Sequence, residues 1–392
     1  MNVRFLAGAR ASDLHARYGG ALGAAAADAL ASAADARVLA FDGAVSTAVL
    51  ALLRACDVVV ARVGTTTLFG ATRAALEQAR ERARGDDAEL VDALLVALAR
   101  AAVPAPHLRL RDRVLHLRDE ARVMGIVNVT PDSFYESADG VAGALSQARA
   151  MVRDGAAIVD VGGQSYASGN GRVSPDDERA RVVPAIRAIV AAGIDVPLSV
   201  DTYTASVADA ALGAGAHVVN DCSGLSDPAM PDVVAKHGAA LVVMHLKGRL
   251  NVREPEAYVY GDALAEIVGF LYERTERAVA AGVARDAIVV DPGLEFGKEP
   301  ATDLEILDRF GELRALGYPV LLAASRKSFI GRVFERPARE LLVPSLAAAA
   351  IGIAAGARLV RAHDVAETVQ VARLMAAAAA AGNPRAERAV AT

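Results

Sequence analysis

Eight times between residues 122 and 363 an apolar, β-rich run stops abruptly at a polar side chain. The runs end at Asn128, Asp160, Asp201, Asn220 with Asp221, His245, Asp291, Ser325-Arg326-Lys327, and Arg361 with His363. Runs of this length and composition read as buried strands, and most are followed by a segment of helical period. The expected strands cover 122–127, 157–161, 197–201, 216–220, 239–245, 287–291, 319–324 and 358–362. The expected helices cover 141–154, 176–192, 203–214, 228–237, 260–281, 303–315, 339–355 and 365–381. Eight strand–helix units over about 260 residues match a (β/α)8 TIM barrel. In such a barrel the C-terminal strand ends converge on one face, so the polar stops describe one site.

The barrel is assigned to residues 121–384, with 385–392 as a tail. A small α/β domain precedes it at 1–105. There Val3–Leu6, Val38–Phe41, Val58–Val63 and 65–70 read as strands, with helices over Ser12–Ala33, Val45–Ala55, 72–84 and 87–102. This block has no glycine-loop fingerprint and reads as a packing or oligomerisation module. Residues 106–120 form a linker, in which LRLRDRVLHLRD alternates apolar with charged like a two-stranded ribbon.

Composition narrows the function. The chain is 54% hydrophobic without a tryptophan, and its net charge of −5 offers no basic footprint for nucleic acid. Its two cysteines, Cys56 and Cys222, are far apart and form neither a disulfide framework nor a zinc spacing. The N-terminus lacks the apolar core of a signal peptide, and the longest apolar run falls short of a membrane span. A cytoplasmic protein is expected. Lysine occurs only at 236, 247, 298 and 327 in a chain that otherwise uses arginine.

The strand ends fall into two chemical groups. Asp160, Asp201, Asn220 and Asp291 accept hydrogen bonds and Lys327 donates them, a set suited to a flat heterocycle with an amino-amidine edge. Any one of these aspartates alone reads as a helix cap or loop brace; together they describe a polar pocket. Asn128, Arg361, His363 and Ser328 instead suit an anion. Arg361 and His363 are two apart on an extended strand and share one face, and the natural guest is a phosphate or diphosphate. The plainer alternative pairs Arg361 with Asp364 or Glu367. No nucleophile elbow and no HxxxH metal motif occurs; a metal would be Mg2+ bridging phosphates, with Asn128 as an oxygen ligand.

These residues lie within MGIVNVTPDSF, DVGGQS, SVDTY, VVND, VVMH, DPGLEFGK, SRKSFIG and RAHDVAET. In this order, over about 122–381, they closely resemble the dihydropteroate synthases, a branch of the wider pterin-binding barrel family. The resemblance implies that Asp160, Asp201, Asn220, Asp291 and Lys327 hold a dihydropterin diphosphate, with Met244 packed on its ring. It implies that Asn128, Arg361, His363 and Mg2+ hold the diphosphate, and that Phe296, Lys327, Ser328, Ser165 and Tyr166 line a p-aminobenzoate pocket beneath a closing loop at 129–134. Lys327, Asp201, Asn128, Arg361 and His363 would carry the chemistry, without a protein nucleophile. The family is usually a homodimer through late barrel helices.

Three departures stand out. Where the family's second loop reads G-G-E-S-T-R-P-G, this chain has Gly162-Gly163-Gln164-Ser165-Tyr166-Ala167-Ser168-Gly169. The first loop lacks the usual Ser-Asp-Gly-Gly, and Pro344-Ser345 stands where Gly-Thr is common. The pterin half is therefore intact and the second-substrate half altered. Beside the synthase reading stand a pterin-binding paralogue without synthase activity and a folate-dependent methyltransferase.

Overall fold

The computed structural model describes residues 3–6, 14, 24–32, 37–102, 105–129, 140–166, 173–250, 252 and 258–381. The first loop beyond Val129, the second-loop positions Ala167, Ser168 and Gly169, and the tail lie outside them. The chain divides into two compact units, Met1–Pro104 with Arg309–Gly317, and Ala105–Asp308 with Tyr318–Thr392.

The first unit contains β1 (Val3–Leu6), α1 (Ala24–Ser32), β2 (Arg37–Asp42), α2 (Thr47–Arg54), β3 (Val59–Val63), β4 (Thr66–Ala71), α3 (Arg73–Arg82) and α4 (Asp86–Ala102). Its four strands form one antiparallel sheet in the order β1-β2-β4-β3. Helix starts are set locally: Ser46 Oγ accepts from the Val49 N–H and Thr72 Oγ1 from the Ala75 N–H, both at 3.1 Å, each satisfying an otherwise orphaned donor. Leu39, Phe69, Leu53, Leu76 and Leu94 are fully buried in its core, and Ala315 joins them.

That last residue corrects one expectation. Residues 303–315 do not form one helix. An α-helix ends at Asp308, and Phe310–Leu316 continues as a 3-10 helix packed against β1 and α4. Arg309 and Glu312 lock its start with a buried ion pair at 2.9 Å.

The second unit begins with an antiparallel ribbon, β5 (His107–Leu110) and β6 (Arg113–His116). The barrel strands follow: β7 (Arg122–Asn128), β8 (Ile158–Gly162), β9 (Leu198–Asp201), β10 (Val218–Asp221), β11 (Ala240–Met244), β12 (Ile288–Asp291), β13 (Leu321–Leu322) and β14 (Leu359–Ala362). Between and after them run α5 (Gly140–Arg153), α6 (Pro175–Ala191), α7 (Ala205–Gly213), α8 (Met230–His237), α9 (Ala263–Ala280), α10 (Pro300–Asp308), α11 (Ser328–Phe334), α12 (Leu342–Ala355) and α13 (Val365–Ala381). All eight strands are parallel, in the order β12-β11-β10-β9-β8-β7-β14-β13, and a parallel bridge between Val290 and Val320 closes the ring. The short helix α11 occupies what the sequence presents as the SRKSFIG turn.

Alternation along the strands sorts the barrel interior. Inward-facing Met124, Ile158, Val218, Val242, Val289, Leu321 and Leu359 form one buried apolar cluster, joined by Leu108, Leu110 and Leu117 of the ribbon. The ribbon therefore plugs the barrel floor. Two residues further along five of these strands, on the same face, stand Asp160, Asn220, Met244, Asp291 and Arg361. The polar site is the next layer above a dry floor. No described helix is long and apolar enough to cross a membrane.

Candidate active site

The centre of this layer is a charge cluster. Arg361 Nε donates to Asp160 Oδ2 at 2.7 Å and its Nη2 donates to Asp201 Oδ2 at 2.8 Å. Asn220 Nδ2 donates to the same Asp160 oxygen at 3.0 Å. Asp201 and Asn220 face each other in register on β9 and β10. The other oxygens, Asp160 Oδ1 and Asp201 Oδ1, are buried without a hydrogen-bond partner. Burial raises the Asp201 carboxyl although Arg361 pulls it down, and Asp160, Glu178 and Asp221 add to the rise. Burial also opposes the Arg361 charge, but Asp160 and Asp201 more than offset it and hold the guanidinium protonated. Two buried acceptor oxygens without donors are costly unless a ligand supplies N–H groups.

The plainer pairing of Arg361 with Asp364 or Glu367 is not what forms. Arg326 takes Asp364 instead, Nε to Oδ2 at 2.8 Å and Nη2 to Oδ1 at 2.6 Å, and its Nη1 donates to the carbonyls of Ala338 and Arg339. Its backbone N–H donates to Ser345 Oγ at 2.9 Å. Ser345 thus supplies the hydroxyl a threonine would. These bonds hold Arg326 at a left-handed φ of 56°, a conformation rare outside glycine, and they aim the next residue, Lys327, at the site.

Lys327 Nζ donates to the Leu294 carbonyl at 2.7 Å and sits 5.0 Å from the centre of the Phe296 ring. Both belong to the turn after β12. Asp291 Oδ1 starts that turn by accepting from the Gly293 N–H at 2.7 Å; burial raises this carboxyl and Lys327 opposes the rise. The turn is pressed onto the end of β11. A Cβ on Gly293, at φ 65°, would stand 2.0 Å from the His245 carbonyl oxygen, and one on Gly297, at φ 67°, 1.8 Å from that of Lys247. Only glycine fits either place. Lys298 closes the turn from within, bonding His245 Nδ1 at 2.9 Å and the carbonyls of Gly293 and Phe296 at 2.7 and 2.8 Å.

Other strand-end residues serve as braces. Asp221 Oδ1 accepts from the Ser223 N–H and hydroxyl and from the Leu225 N–H. His245 is buried, faces Lys298, and meets Phe270 edge-on at 4.9 Å.

The second loop departs from its pattern in a structured way. Tyr166 packs with Tyr203, Leu246 and Phe296 around Cys222, Met244 and Leu250. Its hydroxyl donates to the Asp201 carbonyl at 3.2 Å. Gln164 Nε2 reaches both the Tyr166 hydroxyl and Glu178 Oε2 at 3.5 Å. Glu178 is fully buried in the first turn of α6, and burial pushes its carboxyl up to about 7 against the pull of Thr202 and Arg181.

At the rim, Asn128 ends β7 beside Gly162. His363 Nδ1 and Ser325 Oγ share a hydrogen bond at 3.0 Å, and Ser325 Oγ accepts from the His363 N–H at 3.2 Å. Burial, then Arg361, pushes the imidazole down to about 4, so it is neutral at pH 7. Ser328 is exposed at the start of α11 and Ser165 half-buried at the start of the second loop. Sequence reasoning missed Arg326 with Asp364, Lys298 with His245, and Glu178. Only the scarcity of lysine pointed towards one of them.

A family model described as pterin binding enzyme matches residues 124–363. A dihydropteroate synthase of Bacillus subtilis is 42% identical over 264 residues, covering 67% of this chain and 90% of that protein. A protein of Mycobacterium tuberculosis named inactive dihydropteroate synthase 2 is 41% identical over 264 residues, covering 66% and 83%. The crystal structure of Xanthomonas albilineans dihydropteroate synthase with 4-aminobenzoic acid superposes with a TM-score of 0.65 at 38% identity, covering 70% of this chain and 98% of that one.

Proposed function

The chain belongs to the pterin-binding enzyme family, and on that footing we propose that it is a dihydropteroate synthase. It condenses 6-hydroxymethyl-7,8-dihydropterin diphosphate with p-aminobenzoate, giving 7,8-dihydropteroate and diphosphate in folate biosynthesis. The observation that carries this reading is the pair of buried, donorless oxygens, Asp160 Oδ1 and Asp201 Oδ1, with Asn220 bonded to Asp160 and Asp291 within reach of the Lys327 charge. An aminopyrimidinone edge supplies the N–H donors this layer lacks. Met244 and Phe296 supply apolar surface for the pterin and the benzoate ring.

The residues act by binding and charge. Arg361 spends two of its five N–H groups on carboxylates, and the others remain to face phosphate oxygens. His363, a neutral imidazole, would add a donor to the anion as its Nε2–H tautomer. The methylene C–O bond to diphosphate breaks, a C–N bond to the arylamine forms, and the amine's proton leaves to solvent. Buried carboxylates beside the pterin stabilise the positive charge that develops on the ring as diphosphate departs. Ser165, Tyr166, Lys327 and Ser328 surround the second substrate.

Among the described residues no group of three His, Cys, Asp or Glu side chains is placed to hold a metal. The Asn128 amide oxygen is one hard ligand, which fits Mg2+ held chiefly by the diphosphate itself. When bound, the ion neutralises diphosphate charge and improves it as a leaving group.

Two further points belong to this reading. Val343 and Ile351 on α12 and Leu374 on α13 are 74%, 49% and 69% exposed, supporting a homodimer through the late barrel helices. Two buried free thiols, Cys56 and Cys222, are in keeping with the cytoplasm.

The relative named as inactive keeps the paralogue reading in play, since the second loop of this chain is off pattern. One assay separates them: diphosphate release from the pterin diphosphate with Mg2+, with and without p-aminobenzoate, followed by product identification. Release that requires p-aminobenzoate and yields dihydropteroate is expected. Tight pterin binding with no such turnover would overturn the synthase reading in favour of a binding protein.

A further inference from the structure

Of the four lysines, Lys298 is the one whose burial has no catalytic explanation. It is 6% exposed, whereas the side chains of Lys236 and Lys247 are 66% and 28% exposed. None of its three contacts is a carboxylate: they are the carbonyls of Gly293 and Phe296 and the Nδ1 of His245. A methionine would fill this volume without the cost of burying an ammonium group. Three donors on one atom are what the site needs.

Those three acceptors bracket the turn that builds one wall of the active site. Between the two carbonyls lie Leu294, whose own carbonyl accepts from Lys327 Nζ, and Glu295, whose Oε1 accepts from the Phe329 N–H at 2.8 Å. Glu295 is held at a φ of 72°, off the usual backbone regions for a side-chain-bearing residue. Phe296, at the turn's end, presents its ring to Lys327. The third contact, to His245 Nδ1, pins the turn to the end of β11.

We infer that Lys298 is a positioning residue: its buried ammonium ties His245 to the 293–296 turn and thereby aims Phe296 and Lys327 at the second substrate. The inference rests on the synthase reading above. It is distinct from it, because Lys298 touches neither substrate and acts only through the turn. Burial pulls the amine's pKa down to about 7 even with the carboxylates of Asp303 and Asp291 opposing it; the three acceptors it faces favour the protonated form.

The test is a double-mutant cycle on steady-state kinetics with Lys298→Met, Phe296→Ala and the pair. Lys298→Met is expected to raise KM for p-aminobenzoate at least fivefold, with kcat per titrated site within about threefold. In the Phe296→Ala background the further rise should shrink to no more than half that fold-change, since one of the two groups it aims is gone. A merely structural lysine would lower the active fraction and the melting temperature with KM unchanged, or give effects that multiply across the cycle. Either result overturns the inference. Should the methionine variant not fold, Lys298→Gln keeps two N–H donors in similar volume and is expected to raise KM at least threefold. An unchanged KM there is equally fatal. Wild-type protein without p-aminobenzoate-dependent turnover would overturn the synthase reading and this inference with it; an active wild type beside an unaffected variant overturns this one alone.

Discussion

At the scale of single residues, two buried carboxylates make opposite demands on pH and ligand. Asp201 lacks a donor on one oxygen, so Asp201→Asn is expected to weaken pterin binding at least tenfold, about 1.4 kcal/mol or more; calorimetric titration with the pterin diphosphate checks it, and equal affinity would remove Asp201 from the pocket. Glu178 has its native pKa raised to about 7 from 4.5. A raised carboxyl stabilises the fold fully below the unfolded value and loses that contribution as pH climbs towards the folded value. The native state therefore loses about 3 kcal/mol between about pH 4.5 and 7 on this account. Glu178→Gln should flatten that slope and raise the melting temperature at pH 8 while leaving it little changed at pH 4.5; identical pH profiles for both proteins would count against the burial. Much of the charge layer was legible in advance, because Asp160, Asp201, Asn220 and Asp291 each interrupt an apolar run. The partner of Arg361 was not. Asp160 and Asp201 lie 201 and 160 residues away, and strand alternation places Arg361 inward without saying which neighbour across the barrel it meets.

At the scale of elements, each wall of the site is a turn held by a polar knot. The Arg326–Asp364 pair fixes the turn that carries Lys327, with side chains only 5% and 14% exposed. Removing one partner of such a buried pair leaves an uncompensated charge. Asp364→Ala is expected to cost about 3–5 kcal/mol by denaturant titration and to raise KM for p-aminobenzoate, because only the bonds to Ala338, Arg339 and Ser345 then hold Arg326 in its left-handed backbone. A loss below about 1 kcal/mol would show the pair to be no stronger than an exposed one. The ribbon provides the contrast. Leu110 is fully buried among floor residues, so Leu110→Ala should cost about 2–5 kcal/mol through the cavity it leaves with KM for both substrates unchanged. Strand and helix order were readable from period and punctuation alone. The short helix α11 and the break at Asp308 were not, because a seven-residue apolar stretch carries too few turns to show a period, and Phe310–Leu316 is apolar towards partners outside its own unit of sequence.

At the scale of the whole molecule, that 3-10 segment decides how separable the units are. Residues 1–105 and the barrel read as successive domains along the chain, yet the compact unit built on Met1–Pro104 also takes in Arg309–Gly317. Phe310 and Leu313 are fully buried and Leu316 is 3% exposed, and the segment packs against β1 and α4. Its chain is nonetheless threaded between α10 and β13, a few residues before the turn that carries Lys327. A protein starting at residue 105 would keep every barrel strand and every proposed site residue but strip the cover from this segment. Ala315 of this segment lies in the apolar core of the first unit with Leu39, Phe69 and Leu94, and exposing such apolar surface favours self-association. Such a truncation is expected to aggregate or to melt well below the full chain. Full solubility of the plain truncation, with an unchanged melting temperature, would mean that the first unit contributes nothing to covering the segment and that the barrel folds independently of it.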